Sequence, residues 1–180
     1  GMLRFGGDKM SKSLGNIDRL ADALDREGAE TLLSLFARAH YRSPLDYSPE
    51  SLEDARKSND RLREALRRLA RVAGAGAPAD GGPLAAAAAD ADARFRAALD
   101  DDFGTPEGLA ALFDLVRVAN AAIDAGEVDP ADAAQARAVL LDCLRVLGLD
   151  ALGAAADGPP AEAVGEILDD PAERLELVAQ

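Results

Sequence analysis

The chain has 180 residues and carries 20 basic and 33 acidic side chains, a formal net charge of −13 that excludes a generally basic nucleic-acid coat. Its 48% hydrophobic content argues against wholesale disorder, and 4% aromatic residues with abundant alanine favour closely packed helices over a β-sandwich. One Cys and one His exclude an internal disulfide and leave almost nothing for a Cys/His metal site or a Cys–His catalytic pair.

A short strand and a polar loop open the chain. Residues 2–5 form an apolar, strand-like run that Gly6 and Gly7 stop, and residues 8–16 are predicted to be a loop. The next residues have helical spacing and predict a first helix: Ile17, Leu20, Ala21 and Leu24. After Gly28 a second short helix is predicted, with these residues facing inward: Leu32, Leu35, Phe36 and Ala39.

A long helix is predicted to begin next. Ser48 is its cap, Pro49 takes its first position and Glu50 lies in its first turn. Steps of three and four residues then define a seam for packing against other helices: Leu52, Ala55, Asn59, Leu62, Leu66, Leu69 and Ala73. Residues 74–83 have the composition of a flexible linker.

Three more helices follow the linker. The first, residues 84–99, is rich in alanine, and the next two begin at the prolines that follow Thr105 and Asp129. Gly126 and Gly148 are their predicted ends. The residues predicted to face inward are Phe95 and Leu99, then Leu109, Leu112, Phe113, Val116, Asn120 and Ile123, then Ala136, Val139, Leu140, Cys143 and Leu147.

These elements predict a mainly α protein in three parts. Residues 1–47 form a loop-bearing segment, residues 48–148 an antiparallel bundle of about four helices, and residues 149–180 an acidic tail rich in Ala, Gly and Pro. The tail has little to bury, so we expect it to be partly disordered, with one short helix near 161–168, and to add little stability.

The distribution of charge and hydropathy along the chain limits the kinds of partner that it can bind. Residues 1–72 carry a net charge of +2 and residues 73–180 carry −15, so only the first part tolerates a polyanion. No apolar run approaches the roughly 20 residues that span a bilayer, and no signal peptide is visible. We therefore expect a cytoplasmic protein with no membrane partner.

The first part also holds all three lysines, two of them in the polar loop. Its central residues are Lys9, Met10, Ser11, Lys12 and Ser13. Two ammonium groups and two hydroxyls on such a loop can neutralise the charge that develops on a leaving phosphate. An ordinary solvated turn is the alternative interpretation of five such polar residues.

The exact string favours a functional role: Lys-Met-Ser-Lys-Ser followed by Leu-Gly-Asn resembles the signature loop of the class I aminoacyl-tRNA synthetases. Two more stretches resemble one family of this class, the cysteinyl-tRNA synthetases. Residues 39–48 (AHYRSPLDYS) resemble its stem-contact-like junction, and residues 100–115 (DDDFGTPEGLAALFDL) resemble a helix start in its tRNA-binding helical domain. The three matches stand in the family's order and span residues 1–148.

The resemblance implies roles for the loop. Lys12 would be the main catalytic and ATP-contacting residue and Lys9 an accessory charge, with Met10, Ser11 and Ser13 completing the ATP-binding loop. It also implies a cysteine–tRNA ligase that activates cysteine using ATP with magnesium, then transfers it to tRNA(Cys).

Parts of the family's pattern are not found in this chain. The nucleotide-binding fold, its His-Ile-Gly-His-type motif and the zinc ligands expected in the full-length family are not here, nor is the basic terminal module of many members. Gly104 stands where the family pattern has Asn, and Asn59 where it has Leu. We expect the C-terminal part of a longer protein, inactive by itself because substrate positioning needs the other part.

Two alternatives stay open. A cysteine ligase of amino-sugar thiol biosynthesis shares the signature loop, although the long helical domain favours tRNA. The other alternative is a stand-alone helical module that binds tRNA or a protein and has no catalytic activity.

Further candidate residues have a functional and a structural interpretation. Four arginines of the long helix could contact tRNA phosphates, or form a solvated face paired with Glu53, Asp60 and Glu64. They are Arg56, Arg63, Arg67 and Arg71.

Three other features favour structural roles. Cys143 is predicted to be an inert core residue, and His40 a packed or capping residue. The acidic run 100–102 is attributed to the dipole of the helix that follows it rather than to a metal.

Overall fold

The computed structural model describes residues 3–5, 8–9, 19–73 and 81–157, and it confirms the mainly helical prediction. The helices are α1 (Leu20–Glu27), α2 (Ala29–Ala37), α3 (Pro49–Val72), α4 (Pro83–Asp100), α5 (Thr105–Ala125), α6 (Pro130–Val146) and α7 (Ala151–Asp157). The strands are β1 (Leu3–Phe5), β2 (Asp8–Lys9) and β3 (Leu45–Asp46). Ile17, the linker residues 74–80 and the predicted helix near 161–168 lie outside the described residues.

The three strands form one small sheet in the order β2-β1-β3. β1 pairs antiparallel with β2, with Arg4 opposite Lys9, and parallel with β3, with Leu3 opposite Leu45. β3 was not predicted, because two residues are too few to show the alternation that marks a strand. The sheet places the segment before α3 beside the hairpin that leads into the polar loop.

The long helices α3, α4, α5 and α6 pack around one apolar core. The predicted seam of α3 is confirmed from Leu52 to Leu69, and Phe95 of α4 is 2% exposed. The largest side chains buried in this core are Leu62, Leu66, Leu69, Leu112, Leu115, Leu140, Leu144, Leu149 and Leu152. Small residues such as Ala88, Ala119 and Ala136 fill the space between them.

Two predicted helix starts and two predicted glycine stops are confirmed, whereas α5 begins at Thr105 itself, after Gly104 as an N-cap without a side-chain hydrogen bond. The Ser48 hydroxyl accepts a hydrogen bond from the Ser51 amide at 3.2 Å, and the Asp129 carboxylate accepts one from the Ala131 amide at 2.8 Å. Gly126 (φ 72°) and Gly148 (φ 73°) take the left-handed conformation that ends α5 and α6.

The predicted inward face of α2 is partly wrong, and the apolar residues whose spacing predicts α1 do not form a buried face. Leu20 is 62% and Leu24 40% exposed, and Phe36 is 45% exposed. The residue of α1 that packs inward is Ala23, and the Glu27 side chain beside it is only 6% exposed because it pairs with α3. An ion pair, rather than the apolar stripe, sets which side of α1 faces the protein.

Burial also continues past residue 148, where the tail was predicted to begin. Leu149 and Leu152 are fully buried in the bundle core, and α7 packs on α3. The expectation that residues from 149 onward bury little is therefore wrong for α7. Gly148 turns the chain so that these leucines re-enter the core.

Candidate functional site

The predicted polar loop lies in the sequence between β2 and α1. Lys9, predicted in the loop, is the last residue of β2. Met10, Ser11, Lys12 and Ser13 lie outside the described residues, so their assignment stays a prediction. α1 then begins at Leu20.

A charged network holds α1 to its neighbours. The buried carboxylate of Glu27 accepts a hydrogen bond from the Arg26 guanidinium at 2.9 Å and pairs with Arg56 of α3. Arg26 also donates to the Tyr47 hydroxyl at 2.8 Å, next to β3. The helix that follows the loop is thereby joined to both α3 and the junction segment.

Arg63, about two turns further along α3 than Arg56, makes the equivalent contact with α2. Its guanidinium pairs with Glu30 of α2 and with Asp60 at 2.8 Å. The predicted partners Glu53 and Asp60 do pair with Arg56 and Arg63. Glu27 and Glu30 were missed because they come from other helices, where spacing within α3 gives no signal.

The last two arginines of the predicted stripe share one partner. Glu64 lies 3.5 Å from Arg67 and 3.3 Å from Arg71. The Arg67 side chain is 26% exposed, whereas that of Arg71 is 67% exposed. Of the four arginines, Arg71 thus presents the most accessible guanidinium for an external phosphate.

Two of the stretches that carry the family resemblance meet around Asp102, although they are some 60 residues apart in sequence. The Asp102 carboxylate accepts hydrogen bonds from the Tyr41 hydroxyl at 2.7 Å and from Arg42 at 3.0 Å. Its backbone carbonyl lies 3.0 Å from His40 Nε2. We call these residues, with Phe103, the junction cluster.

The backbone at this cluster is unusual. Asp102 (φ 57°) and Phe103 (φ 55°) both take the left-handed conformation, which is uncommon for residues with bulky side chains. A Cβ at Gly104 would lie 2.9 Å from the Ala98 carbonyl oxygen, to which the Gly104 amide donates at 2.8 Å. Glycine at 104, where the family pattern has Asn, fits this tight return of the chain onto α4.

The contacts of the junction cluster change the interpretation of the acidic run at residues 100–102. Asp100 ends α4 and Asp102 pairs with Arg42, so α4 and the junction explain the run at least as much as the dipole of α5 does. Hydrogen bonding to Asp102 raises the pKa of Tyr41 above its ordinary value. Within the described ranges, no three His, Cys, Asp or Glu side chains are grouped to hold a metal ion.

Cys143 lies in the bundle core, as predicted. It is 2% exposed, and burial raises the pKa of its thiol to about 11. The thiol therefore stays protonated and unreactive near neutral pH.

No helix in the part of the chain that the structure describes has the length and apolar character needed to cross a membrane.

Comparison with protein families finds one match in the loop-bearing segment and another in the helical bundle. Residues 1–57 match the tRNA synthetases class I (C) catalytic domain, and residues 94–152 match the DALR domain. The first match contains the polar loop, α1, α2 and β3, and the second runs from α4 into α7.

Curated relatives agree with these matches. The chain is 45% identical to the cysteine–tRNA ligase of Tolumonas auensis over 82% of its own length and 28% of the relative. It is 41% identical to that of Halorhodospira halophila over its whole length and 35% of the relative. The chain is thus similar to cysteine–tRNA ligases over 82–100% of its own length. It spans about a third of the length of these relatives.

A solved structure shares the fold. The LeuRS of Agrobacterium radiobacter, crystallised in a ternary complex with tRNA and LeuAMS, superposes with a TM-score of 0.69 over 88% of this chain and 22% of that one. The identity is 19%, so the likeness establishes the architecture alone.

Proposed function

We propose that this chain provides the signature loop and the helical tRNA-binding domain of a cysteine–tRNA ligase acting in the cytoplasm. The complete enzyme would join cysteine and ATP into cysteinyl adenylate and pyrophosphate, then transfer cysteine to the 3′ end of tRNA(Cys). The observation that carries the proposal is similarity to cysteine–tRNA ligases over 82–100% of the chain.

The proposed chemistry lies in the loop. Lys12 would neutralise charge on the departing pyrophosphate, and Lys9, at the end of β2, would add a second charge. Met10, Ser11 and Ser13 would complete the binding of ATP, which enters with magnesium. Zinc, expected in the full-length family, would be held by ligands that are not residues of this chain.

For tRNA, the arginines of α3 divide into two groups. Arg56 and Arg63 each pair with an acid of α1 or α2, so moving them to a phosphate would break contacts that position the loop. Arg71 is 67% exposed and shares Glu64 with Arg67. We propose that Arg71, with Arg67 behind it, contacts the tRNA backbone, while Arg56 and Arg63 act mainly as structural residues.

The decisive experiment is Lys12→Ala in the complete ligase that contains this chain, with adenylate formation followed in a single turnover. We expect the rate to fall about 100-fold or more, the scale of losing one transition-state donor, with little change in cysteine affinity. Lys12→Arg should restore the rate only partly, because a planar guanidinium replaces a compact charge poorly. Lys9→Ala should have a smaller effect.

Lys57→Ala is the matched control, since this lysine of α3 is 61% exposed and pairs with Glu53. Its adenylation rate should equal that of wild type. A Lys12→Ala rate within about twofold of wild type, under 1 kcal/mol on the barrier, would remove the chemical basis of the proposal. ATP–pyrophosphate exchange by the isolated chain should stay at background.

A further inference from the structure

The junction cluster presents aromatic rings to solvent. Tyr41 is 51% and Phe103 69% exposed, and the centroids of their rings lie 6.5 Å apart in an edge-to-face arrangement. The Arg42 guanidinium carbon lies 5.3 Å from the centre of the Tyr41 ring, and the Arg42 side chain is 67% exposed. Two rings and a planar cation thus share one accessible surface.

The exposure of Phe103 is imposed by its surroundings. Asp102 is held by hydrogen bonds with Tyr41, Arg42 and His40. It is the first of two consecutive residues in the left-handed conformation, and Phe103 is the second. Each such residue costs on the order of 1–3 kcal/mol, and persists where the surrounding structure over-determines it. The fold therefore holds a large apolar ring in water at a conformational cost, which a purely structural turn with glycine would avoid.

We propose that Tyr41, Arg42 and Phe103 form a stacking site for an unpaired base of the tRNA. This inference rests on the function proposed above. Proteins that bind single-stranded regions of RNA stack splayed-out bases on aromatic rings and on arginine guanidinium planes, which are the groups exposed here.

The local charges favour a base over a phosphate. The charge of Asp102 is matched by Arg42, whereas Asp100 and Asp101 are exposed at the same turn. Carboxylates repel phosphates but accept hydrogen bonds from the amino groups of bases. A base that stacks on Phe103 with its amino edge toward these carboxylates satisfies both requirements.

The test measures binding of a fluorescently labelled tRNA(Cys) transcript to the 180-residue chain by anisotropy, at fixed low salt. Phe103→Leu removes the ring but keeps an apolar side chain at the same backbone position. We expect the Kd to rise about 5- to 150-fold, the range that alanine substitution gives for the loss of one base–aromatic stack. Phe103→Trp should bind at least as tightly as wild type.

Phe36→Leu is the matched control, because Phe36 of α2 is also exposed, at 45%. Its Kd should stay within about twofold of wild type. Chemical probing of the bound transcript gives a second readout: one unpaired base should be protected by wild type and by Phe103→Trp, and reactive with Phe103→Leu. Melting midpoints of the variants establish that they are folded.

The two proposals fail differently. A wild-type chain that binds tRNA while Phe103→Leu binds with the same Kd and the same protection would refute the stacking site and leave the ligase assignment intact. A wild-type chain that shows no preference for tRNA over a duplex RNA of equal length would contradict tRNA binding by the chain itself, and the stacking site with it.

Discussion

The bundle and the loop-bearing segment are held together by different physical means. The bundle core buries leucines from five helices against alanine-rich faces. The second core is small and joins α1, α2 and the junction to the beginning of α3: Ala23, Leu32, Leu35, Tyr47, Leu52 and Ala55. α3 belongs to both, since its first half packs on the small core and its second half in the bundle.

Polar contacts compensate for the smaller core. Ser34 of α2 donates a buried hydrogen bond to Asn59 of α3, and the Glu27–Arg56 and Glu30–Arg63 pairs flank it. Apolar burial is non-directional, whereas these bonds require one geometry. We infer that the bundle supplies stability, while the polar contacts fix the orientation of the segment that carries the proposed catalytic loop.

The largest expected effect is in the bundle, at the residues first assigned to the tail. Leu152→Ala should destabilise the protein by about 2–5 kcal/mol, because it leaves a cavity in a fully buried site. Val146→Ala is the control, since Val146 is 65% exposed. Chemical denaturation followed by circular dichroism measures both. A Leu152→Ala variant as stable as the control would mean that α7 does not belong to the core.

A smaller loss is expected at the polar contact between the two cores. Ser34→Ala should cost about 1–3 kcal/mol, because it leaves the buried amide of Asn59 without its hydroxyl partner. The double variant Ser34→Ala/Asn59→Leu should recover much of this, since both polar groups are then replaced by apolar ones. Denaturation of the two single variants and the double variant completes the cycle. Additive losses would show that the two side chains are not coupled.

Next in size is a contact between helix ends inside the bundle. Asp132, 4% exposed in the first turn of α6, accepts a hydrogen bond from the amide of Gly82, the N-cap of α4, at 3.3 Å. Asp132→Ala should cost about 1 kcal/mol, as for other helix caps. Asp142→Ala, at an exposed aspartate of the same helix, should change stability by less than about 0.5 kcal/mol. Equal losses at both positions would contradict a capping role.

A feature could be predicted from the sequence when the residues that form it lie close together in the chain. The caps at Ser48 and Asp129, the glycine stops and the seam of α3 are local features, so residue identity and spacing were enough to place them. Leu149 and Leu152 were missed because a short apolar pattern in a segment rich in Ala, Gly and Pro gives little evidence of burial. The spacing of Leu20 and Leu24 predicts a helix, but it cannot show that an ion pair decides which side of α1 faces the protein.

The candidate site divides in the same way. The polar loop was identified from one contiguous string, yet the partners of Arg56 and Arg63 come from other helices. The junction cluster joins residues 40–42 to residues 102–103, and no spacing rule connects them. Asn59, a departure from the family pattern, is explained only by the hydroxyl of Ser34 that faces it.

The smallest expected effect, that of Ser34→Ala on the labelling rate of Cys143, tests whether the two regions open separately. Cys143 is the one cysteine of the chain, is buried in the bundle, and has a thiol pKa of about 11, so it reacts with a disulfide reagent only when the bundle opens. At pH 8, Leu152→Ala should accelerate labelling about 30-fold or more, in proportion to its destabilisation. Ser34→Ala should leave the rate within about twofold of wild type, because the contact it removes lies in the other region. The rate is read from the absorbance of the released thiolate under native conditions. Acceleration by Ser34→Ala to the full extent of its destabilisation would show instead that α3 couples both cores into one cooperative unit, and that the segment carrying the proposed loop cannot move without opening the bundle.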